Sequence, residues 1–390
     1  MTPGARVAAA IEILNEWRGD APAERVLTRW GRNNRYAGSK DRAAIRDHVF
    51  GVLRKLDTTA WLGGGDTGRA LMIGALVRDG VDVDTLFNGQ GHAPDPLSDD
   101  EQAAVRAIGD VPDDVARNMP EWIFENLTRD HGDAVNQICA VMQDRAPVTL
   151  RVNVARTTVA EVQSVLEKQG VVSETVEGAP TALILPDAPR GIANWEVFQD
   201  GLIELQDASG QALISGLPLK GGMRVLDFCA GGGGKSLALA AHADVIVHAS
   251  DKNVARMSDI ASRAARAKAM IAVLGPNDID QDRGYDLVLV DAPCSGSGTW
   301  RRTPEMKHRL TPEALQDYVN LQAEVLDKAA VHVAEGGALV YATCSIFSEE
   351  NQNQVAAFIA QHSEFAVENE RSWMPSTVGD GFFGCTLRRS

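Results

Sequence analysis

Five short apolar runs in the second half of the chain alternate with stretches long enough for helices. They are RVLDF (224 to 228), VIVHAS (245 to 250), MIAVL (270 to 274), DLVLVD (286 to 291) and ALVYA (338 to 342). A continuous apolar run marks a strand covered on both faces, and strands separated by helical crossovers lie parallel. This pattern predicts a doubly wound α/β domain over residues 219–390, with ligands beyond the carboxyl ends of its strands.

The chain ahead of it reads differently. Residues 1–140 carry apolar residues at helical spacing, with runs at 7 to 17 and 69 to 79. After the turn-like segment NNRYAGSKD, the residues Ile45, Val49, Val52, Leu53 and Leu56 fall on one face of one helix. GQGHAPDPLSDD (89 to 100) reads as a loop in which Ser98 caps a helix ahead of Glu101. From about 145 the pattern becomes strand (VTLRVN, 148 to 153), helix (158 to 168) and two short strands (VVSETVE and ALILP), a small α+β unit over 145–215. A chain of 390 residues accommodates these three domains.

No apolar run approaches the ~18 residues of a membrane span, and the N-terminus lacks the layout of a signal peptide, so a cytoplasmic location is expected. The five cysteines (139, 229, 294, 344 and 385) are widely spaced and form no C-x-x-C pair, which argues against a disulfide framework or a zinc site. No metal is expected, and no obligate protein partner is evident. Net charge is −15, which taken alone argues against nucleic acid. Residues 24–55 nevertheless carry +6, from Arg25, Arg29, Arg32, Arg35, Lys40, Arg42, Arg46, Arg54 and Lys55 against Glu24, Asp41 and Asp47. A second basic cluster is Arg301, Arg302, Lys307, His308 and Arg309. Each cluster reads equally as a solvated helix face or as a partner surface.

The first strand runs into DFCAGGGGKS (227 to 236). Four glycines between strand and helix let the backbone approach a ligand closely. A phosphate-binding loop of the form G-x-x-x-x-G-K-[ST] needs glycine at 229, where the chain has Cys229. A dinucleotide fingerprint is matched only loosely. S-adenosylmethionine has no phosphates and needs a glycine loop for its methionine part and an acid for its ribose hydroxyls. Asp251 follows the second strand, 17 residues beyond Gly234, and suits that acid, although alone it reads equally as a helix cap.

The fourth strand ends in Asp291-Ala-Pro-Cys294 and the fifth in Ala-Thr-Cys344-Ser, so two thiols reach the ligand edge of one sheet. Either alone is an ordinary small core residue. Together with a methyl donor and an acid they suit pyrimidine chemistry. A thiolate adding to carbon 6 makes carbon 5 nucleophilic, the acid hydrogen-bonds the ring edge, and elimination of the thiol follows loss of the carbon 5 proton. The base must leave its stack to reach such a pocket. Lys235 or the arginines are candidates to lower a thiol pKa.

These residues resemble the RsmB/NOP/NSUN family of RNA cytosine-5 methyltransferases. DFCAGGGGKS is similar to its D-x-C-A-[AS]-P-G-G-K-T, DAPCSGSGTWRRTPE to its D-[AV]-P-C-S-[AG]-[ST]-G with a basic-Pro extension, and YATCSIFSEEN to its Y-x-T-C-S-x-x-x-x-E-N. FQDGLIELQDASGQ (198 to 211) and DGFFGCTLRR (380 to 389) resemble the flanking segments. The resemblance implies a Rossmann-like methyltransferase domain that uses S-adenosyl-L-methionine. It makes Cys344 the nucleophile, Cys294 the residue assisting product release, and Asp291 a contact to the flipped cytosine or the cofactor. Cys229, Ala230, Gly231, Gly232, Gly233, Gly234, Lys235 and Asp251 would hold the cofactor, with Asp278, or else Asn277 or Asp280, near the adenine. Two departures stand out. Gly231 and Gly232 replace a small residue and a proline, giving a looser loop, and Ser236 replaces threonine.

RYAGSKDRAAIRDHVFGVLR (35 to 54) resembles the NusB-like helical domain of the bacterial ribosomal-RNA branch, and the 145–215 unit its RRM-like module, though without the usual aromatics. This resemblance makes RNA the partner, with small-subunit (16S) ribosomal RNA the expected substrate and transfer RNA or large-subunit RNA as alternatives. The rivals are a methyltransferase for protein or a small molecule, which needs no pair of thiols, a non-catalytic RNA-binding assembly factor, and a nucleotide hydrolase, weakened by Cys229.

Overall fold

The computed structural model describes every residue except 20, 107, 108, 188 and 280–283, together with the side chain of 106. The chain forms two compact units, Met1–Arg145 with Trp300–Arg309, and Ala146–Thr299 with Leu310–Ser390.

The first unit is helical. Helices Pro3–Trp17, Ala23–Asn33, Ser39–Arg54, Leu56–Gly63 and Gly68–Arg78 are followed by Asp99–Arg106, Asp113–Ala116, Glu121–His131 and Ala134–Met142. Local chemistry sets the starts. Thr2 accepts from the Ala5 amide with Pro3 in the first turn, and Ser98 and Glu101 exchange the two bonds of a capping box. One core contains Val7, Ile13, Leu14, Ile45, Val49, Leu53 and Leu71. Leu56 does not share the helix of Leu53, because the chain breaks at Lys55 and Leu56 opens the next helix.

The second basic cluster does not form a charged face. In the segment 300–309 Arg302, Thr303 and Met306 are exposed, so Arg302 is its one exposed cation, and Arg301 and Lys307 are among the largest fully buried side chains. The segment is stitched into the helical unit. Lys307 donates to the Arg54 carbonyl (3.1 Å), Arg54 to the Arg301 carbonyl (2.9 Å), and Arg309 to the Ala21 carbonyl (3.0 Å). Burial lowers the Lys307 pKa to about 8, and burial with the neighbouring Lys307 charge lowers that of His308 to about 3.

The second unit contains two sheets. The smaller has order β2-β3-β1-β4, from β1 (Val148–Val152), β2 (Glu174–Val176), β3 (Ala179–Leu185) and β4 (Ile203–Leu205). Helix Val159–Lys168 follows β1, its start set by a Thr158–Glu161 capping box. All its strand pairs are antiparallel. β4 is a strand beyond the three that the β-α-β-β pattern of this unit predicts.

The larger sheet has order β10-β11-β9-β8-β5-β6-β7. Its parallel part is β5 (Arg224–Asp227), β6 (Ile246–Ala249), β7 (Ile271–Val273), β8 (Tyr285–Asp291) and β9 (Val333–Thr343). These are the five strands predicted from the apolar runs. β10 (Phe365–Trp373) and β11 (Phe382–Arg389) add an antiparallel edge. β8 is central, and its Val288, Leu289 and Val290 are fully buried, each contributing about 1.5–3 kcal/mol of burial free energy. Helices Gly234–His242, Ile260–Ala267, Pro312–Ala330 and Gln352–Gln361 accompany the sheet. Among the described residues, no helix is long and apolar enough to cross a membrane.

Candidate active site

The loops that follow β5, β6, β7, β8 and β9 carry the chemistry. β5 ends at Asp227 and the chain turns through 228–233 into the helix Gly234–His242. Gly233 has φ +79°, and a Cβ there would lie 2.8 Å from Ile260, so glycine is required for both conformation and space. The Gly231 amide donates to Asp251 (2.9 Å), tying the loop to the end of β6. Asp251 is buried. Its other oxygen accepts from the Asn253 amide (2.8 Å), and Arg256 pairs with it at 3.3 Å.

Below the loop lies Asp227, fully buried. One oxygen accepts from the Ser236 hydroxyl at 2.6 Å, and the other has no protein partner. Burial, reinforced by the Asp291 charge and opposed by the Ser236 bond, lifts its pKa to about 7. Burial and the neighbouring acids push the Cys229 thiol far above its ordinary value, so it lines the site as an uncharged group.

Beside the loop is a cavity of about 530 Å³. Phe228, Cys229, Ser250, Pro276, Ile279 and Val325 supply much of its wall. Its mainly apolar lining, which takes in Phe228 and Cys229 at the start of the glycine loop, suits a nucleoside-containing cofactor. Among the residues expected near an adenine, Asn277 and Asp278 are exposed, and the Asp278 carboxylate accepts from the Gly275 amide (3.0 Å) in a turn. Asp280 lies outside the described residues. Their neighbours Pro276 and Ile279 face the cavity, which the acid-centred reading missed.

β8 and β9 are adjacent and parallel, with Asp291 opposite Ala342. The turns beyond them bring the Cys294 and Cys344 sulfurs to 3.4 Å. The hydrogen bond to Cys344 and burial raise the Cys294 pKa well above its ordinary value, so Cys294 holds its proton beside the Cys344 sulfur. Lys235 reaches from the glycine-loop helix to Asp291 (2.6 Å). Burial opposes the Lys235 charge, but Asp291 outweighs it, aided by the Cys344 sulfur, and the lysine pKa rises. Two thiols, an acid and a fixed ammonium thus share one corner of the sheet edge. Cys139 and Cys385 are free and buried in the cores.

Glu350 organises this corner, and its role was not anticipated although its motif was noticed. It is fully buried and accepts from the Ser295 amide (2.8 Å), the Ser295 hydroxyl (2.5 Å), the Ser345 hydroxyl (2.5 Å) and the Gln322 amide (2.9 Å). Ser295 and Ser345 each follow one of the two cysteines, so a single carboxylate pins both thiol-bearing turns. The sequence sign of it is an acid six residues beyond Cys344, in the YATCSIFSEEN motif.

Comparison with known proteins agrees with this architecture. Residues 215–383 match the family model described as 16S rRNA methyltransferase RsmB/F, and residues 119–190 match the ferredoxin-like domain of RsmF/B-like methyltransferases, together more than half of the chain. A curated relative from Enterobacter sp. (strain 638), named ribosomal RNA small subunit methyltransferase B, is 28% identical across 89% of this chain and 91% of its own length. One of the same name from Serratia proteamaculans (strain 568) is 31% identical across 69% of this chain and 66% of its own. The solved structure of a protein designated PH0851 has the same fold, with TM-score 0.79 and 23% identity over 100% of this chain and 99% of that one. The chain belongs to the RsmB/F family of methyltransferases.

Proposed function

We propose that this chain methylates carbon 5 of a cytosine in RNA, with S-adenosyl-L-methionine as donor and small-subunit ribosomal RNA as substrate. The observation that carries the reading is the contact between Cys294 and Cys344 at 3.4 Å, beside the Lys235–Asp291 pair and the glycine loop. A methyltransferase for protein or a small molecule has no use for two thiols in contact. The names of the curated relatives support the ribosomal substrate.

In this reading, residues 229–235 and Asp251 hold the cofactor, and the cavity walled by Phe228, Pro276 and Ile279 takes its nucleoside. When bound, S-adenosylmethionine supplies an electrophilic methyl group. Cys344, accepting from Cys294 and close to the Lys235 charge, acts as the thiolate. Its sulfur bonds to carbon 6, and the ring's π electrons shift to make carbon 5 nucleophilic. Asp291, steadied by Lys235, hydrogen-bonds the ring edge and stabilises the adduct. Once the methyl is in place, a base takes the carbon 5 proton, the electrons of that bond restore the 5,6 double bond, and Cys344 leaves with the carbon–sulfur bonding pair. Cys294 assists this release.

The domains divide the work: 219–390 performs the chemistry, 145–215 is a small RRM-like module, and 1–140 is a NusB-like domain that engages RNA. The last assignment draws on the helices Ala23–Asn33 and Ser39–Arg54, where Arg25, Arg32, Arg35 and Lys40 are exposed, and on Tyr36, 71% exposed in the turn between them. Cations beside an exposed aromatic suit phosphates and an unstacked base.

The test is incubation with methyl-labelled S-adenosylmethionine and unmodified ribosomal or transfer RNA, separately, followed by digestion to nucleosides. Labelled 5-methylcytidine from small-subunit RNA is expected. Label only in transfer RNA would overturn the substrate, and label in a different nucleoside would overturn the chemistry.

A further inference from the structure

The glycine loop was expected to be loose, because Gly231 and Gly232 stand where similar proteins carry a small residue and a proline. The structure holds it firmly from outside. The Arg263 guanidinium, on the helix Ile260–Ala267, donates to the Gly232 carbonyl. The same guanidinium pairs with Glu204 at 3.0 Å. Glu204 is buried in β4, opposite Arg151 of β1, and Arg266 grips its second oxygen. The Arg266 guanidinium in turn lies 4.2 Å over the Phe198 ring.

Beneath this chain of contacts, the module and the helix are closely docked. The Asn153 side-chain amide donates to the Gly201 and Ala267 carbonyls, both at 3.0 Å. Arg263 is therefore fixed at one end by an acid that cannot move and at the other by the loop. A Cβ at Gly232 would lie 3.3 Å from the Arg263 guanidinium, so the arginine fills the room a larger residue would take.

We propose that Glu204 and Arg263 form a brace that replaces the missing proline and holds the glycine loop in its cofactor-binding shape. Both are positioning residues for S-adenosylmethionine, and the proposal rests on the cofactor reading above. Glycines at 231 and 232 enlarge the set of open conformations, which proline would restrict through the chain itself. The arginine fork restricts them through bonds to a fixed acid and a fixed carbonyl. The module thus contributes to cofactor binding through Glu204.

The test is calorimetric titration of the whole chain with S-adenosylmethionine, alongside melting without ligand. Arg263→Gln leaves Glu204 paired with Arg266, so the melting temperature should change little while Kd rises about tenfold. Adding Gly232→Pro to that variant should return Kd to within about twofold of the parent, because the ring supplies the stiffness directly. No left-handed φ opposes proline at position 232, and the clashing guanidinium is gone in this background. If Arg263→Gln melts far below the parent, Arg263→Lys gives the same comparison with the charge beside Glu204 retained. Unchanged affinity in the single variants, or no rescue by proline, would overturn the brace alone. A parent chain that does not bind S-adenosylmethionine would overturn the cofactor reading and the brace with it.

Discussion

Glu350→Gln isolates the electrostatic part of the clamp that holds the two thiols together. The replacement keeps the shape, so the effect follows from the hydrogen bonds. One carboxylate oxygen accepts from the Ser295 and Gln322 amides, which can only donate, so the glutamine carbonyl must take that side. The new NH2 then faces the Ser295 and Ser345 hydroxyls, which must turn from donating to accepting. Hydrogen bonds to a charged group contribute about 1.5–3 kcal/mol and neutral ones about 0.5–1.5 kcal/mol. Losing about 1 kcal/mol at each of the four contacts amounts to roughly 4 kcal/mol, divided between global stability and the order of the two cysteine turns. Displacing a reacting group by about 1 Å costs about 100-fold in rate. We therefore expect kcat for RNA methylation to fall by about 10- to 100-fold, with the urea midpoint lowered and S-adenosylmethionine affinity kept. Urea unfolding, single-turnover methylation and calorimetric titration measure the three quantities. A variant with the parent's stability and the parent's single-turnover rate would refute the clamp.

Three further outcomes are expected. Cys294→Ala, which keeps the nucleophile but removes the residue assisting release, should accumulate a covalent protein–RNA adduct on denaturing gels, whereas Cys344→Ala should form none; an adduct from Cys344→Ala would reverse the two roles. Asp227 is protonated in the folded state up to about pH 7 but ionises near 4 when unfolded. Its contribution is thus full below pH 4 and is lost as pH rises to 7, about 4 kcal/mol at most. Asp227→Asn still accepts from Ser236, so it should flatten this fall in ligand-free unfolding experiments, and parallel pH profiles for parent and variant would contradict the assignment. Arg32→Glu with Arg35→Glu should weaken RNA binding in anisotropy titrations and lower the salt slope by about 2, whereas an unchanged slope would remove these residues from the RNA surface.

The parallel part of the fold was legible because β5, β8 and the end of β9 are buried on both faces and so are written as unbroken apolar runs, while β6 and β7, though partly exposed, keep an apolar composition. β10 was not, since residues 366–372 are exposed on both faces of an edge strand and carry charge rather than an apolar pattern. The thiol pair was legible from position alone: strand ends Asp291 and Thr343 place Cys294 and Cys344 on one edge whatever the loops do. Glu350 and Arg263 were not, because each acts on partners brought near only by tertiary folding, Ser295 in one case and Gly232 with Glu204 in the other. The segment 300–309 misled for a related reason. Its cationic residues read as a surface, yet backbone carbonyls of the helical unit receive Lys307 and Arg309 in the interior. Local sequence records charge but not where the neutralising dipoles lie.

The central claim is that Cys344 bonds to carbon 6 of a cytosine. Small-subunit RNA transcribed with 5-fluorocytidine tests it directly, because fluorine cannot leave carbon 5 as a proton does and elimination stops at the adduct. Incubation with S-adenosylmethionine, denaturing electrophoresis and peptide mapping should yield a stable complex linked through Cys344. Methylation of ordinary RNA with no trapped complex from the fluorinated RNA, or a link through any other residue, would contradict the account.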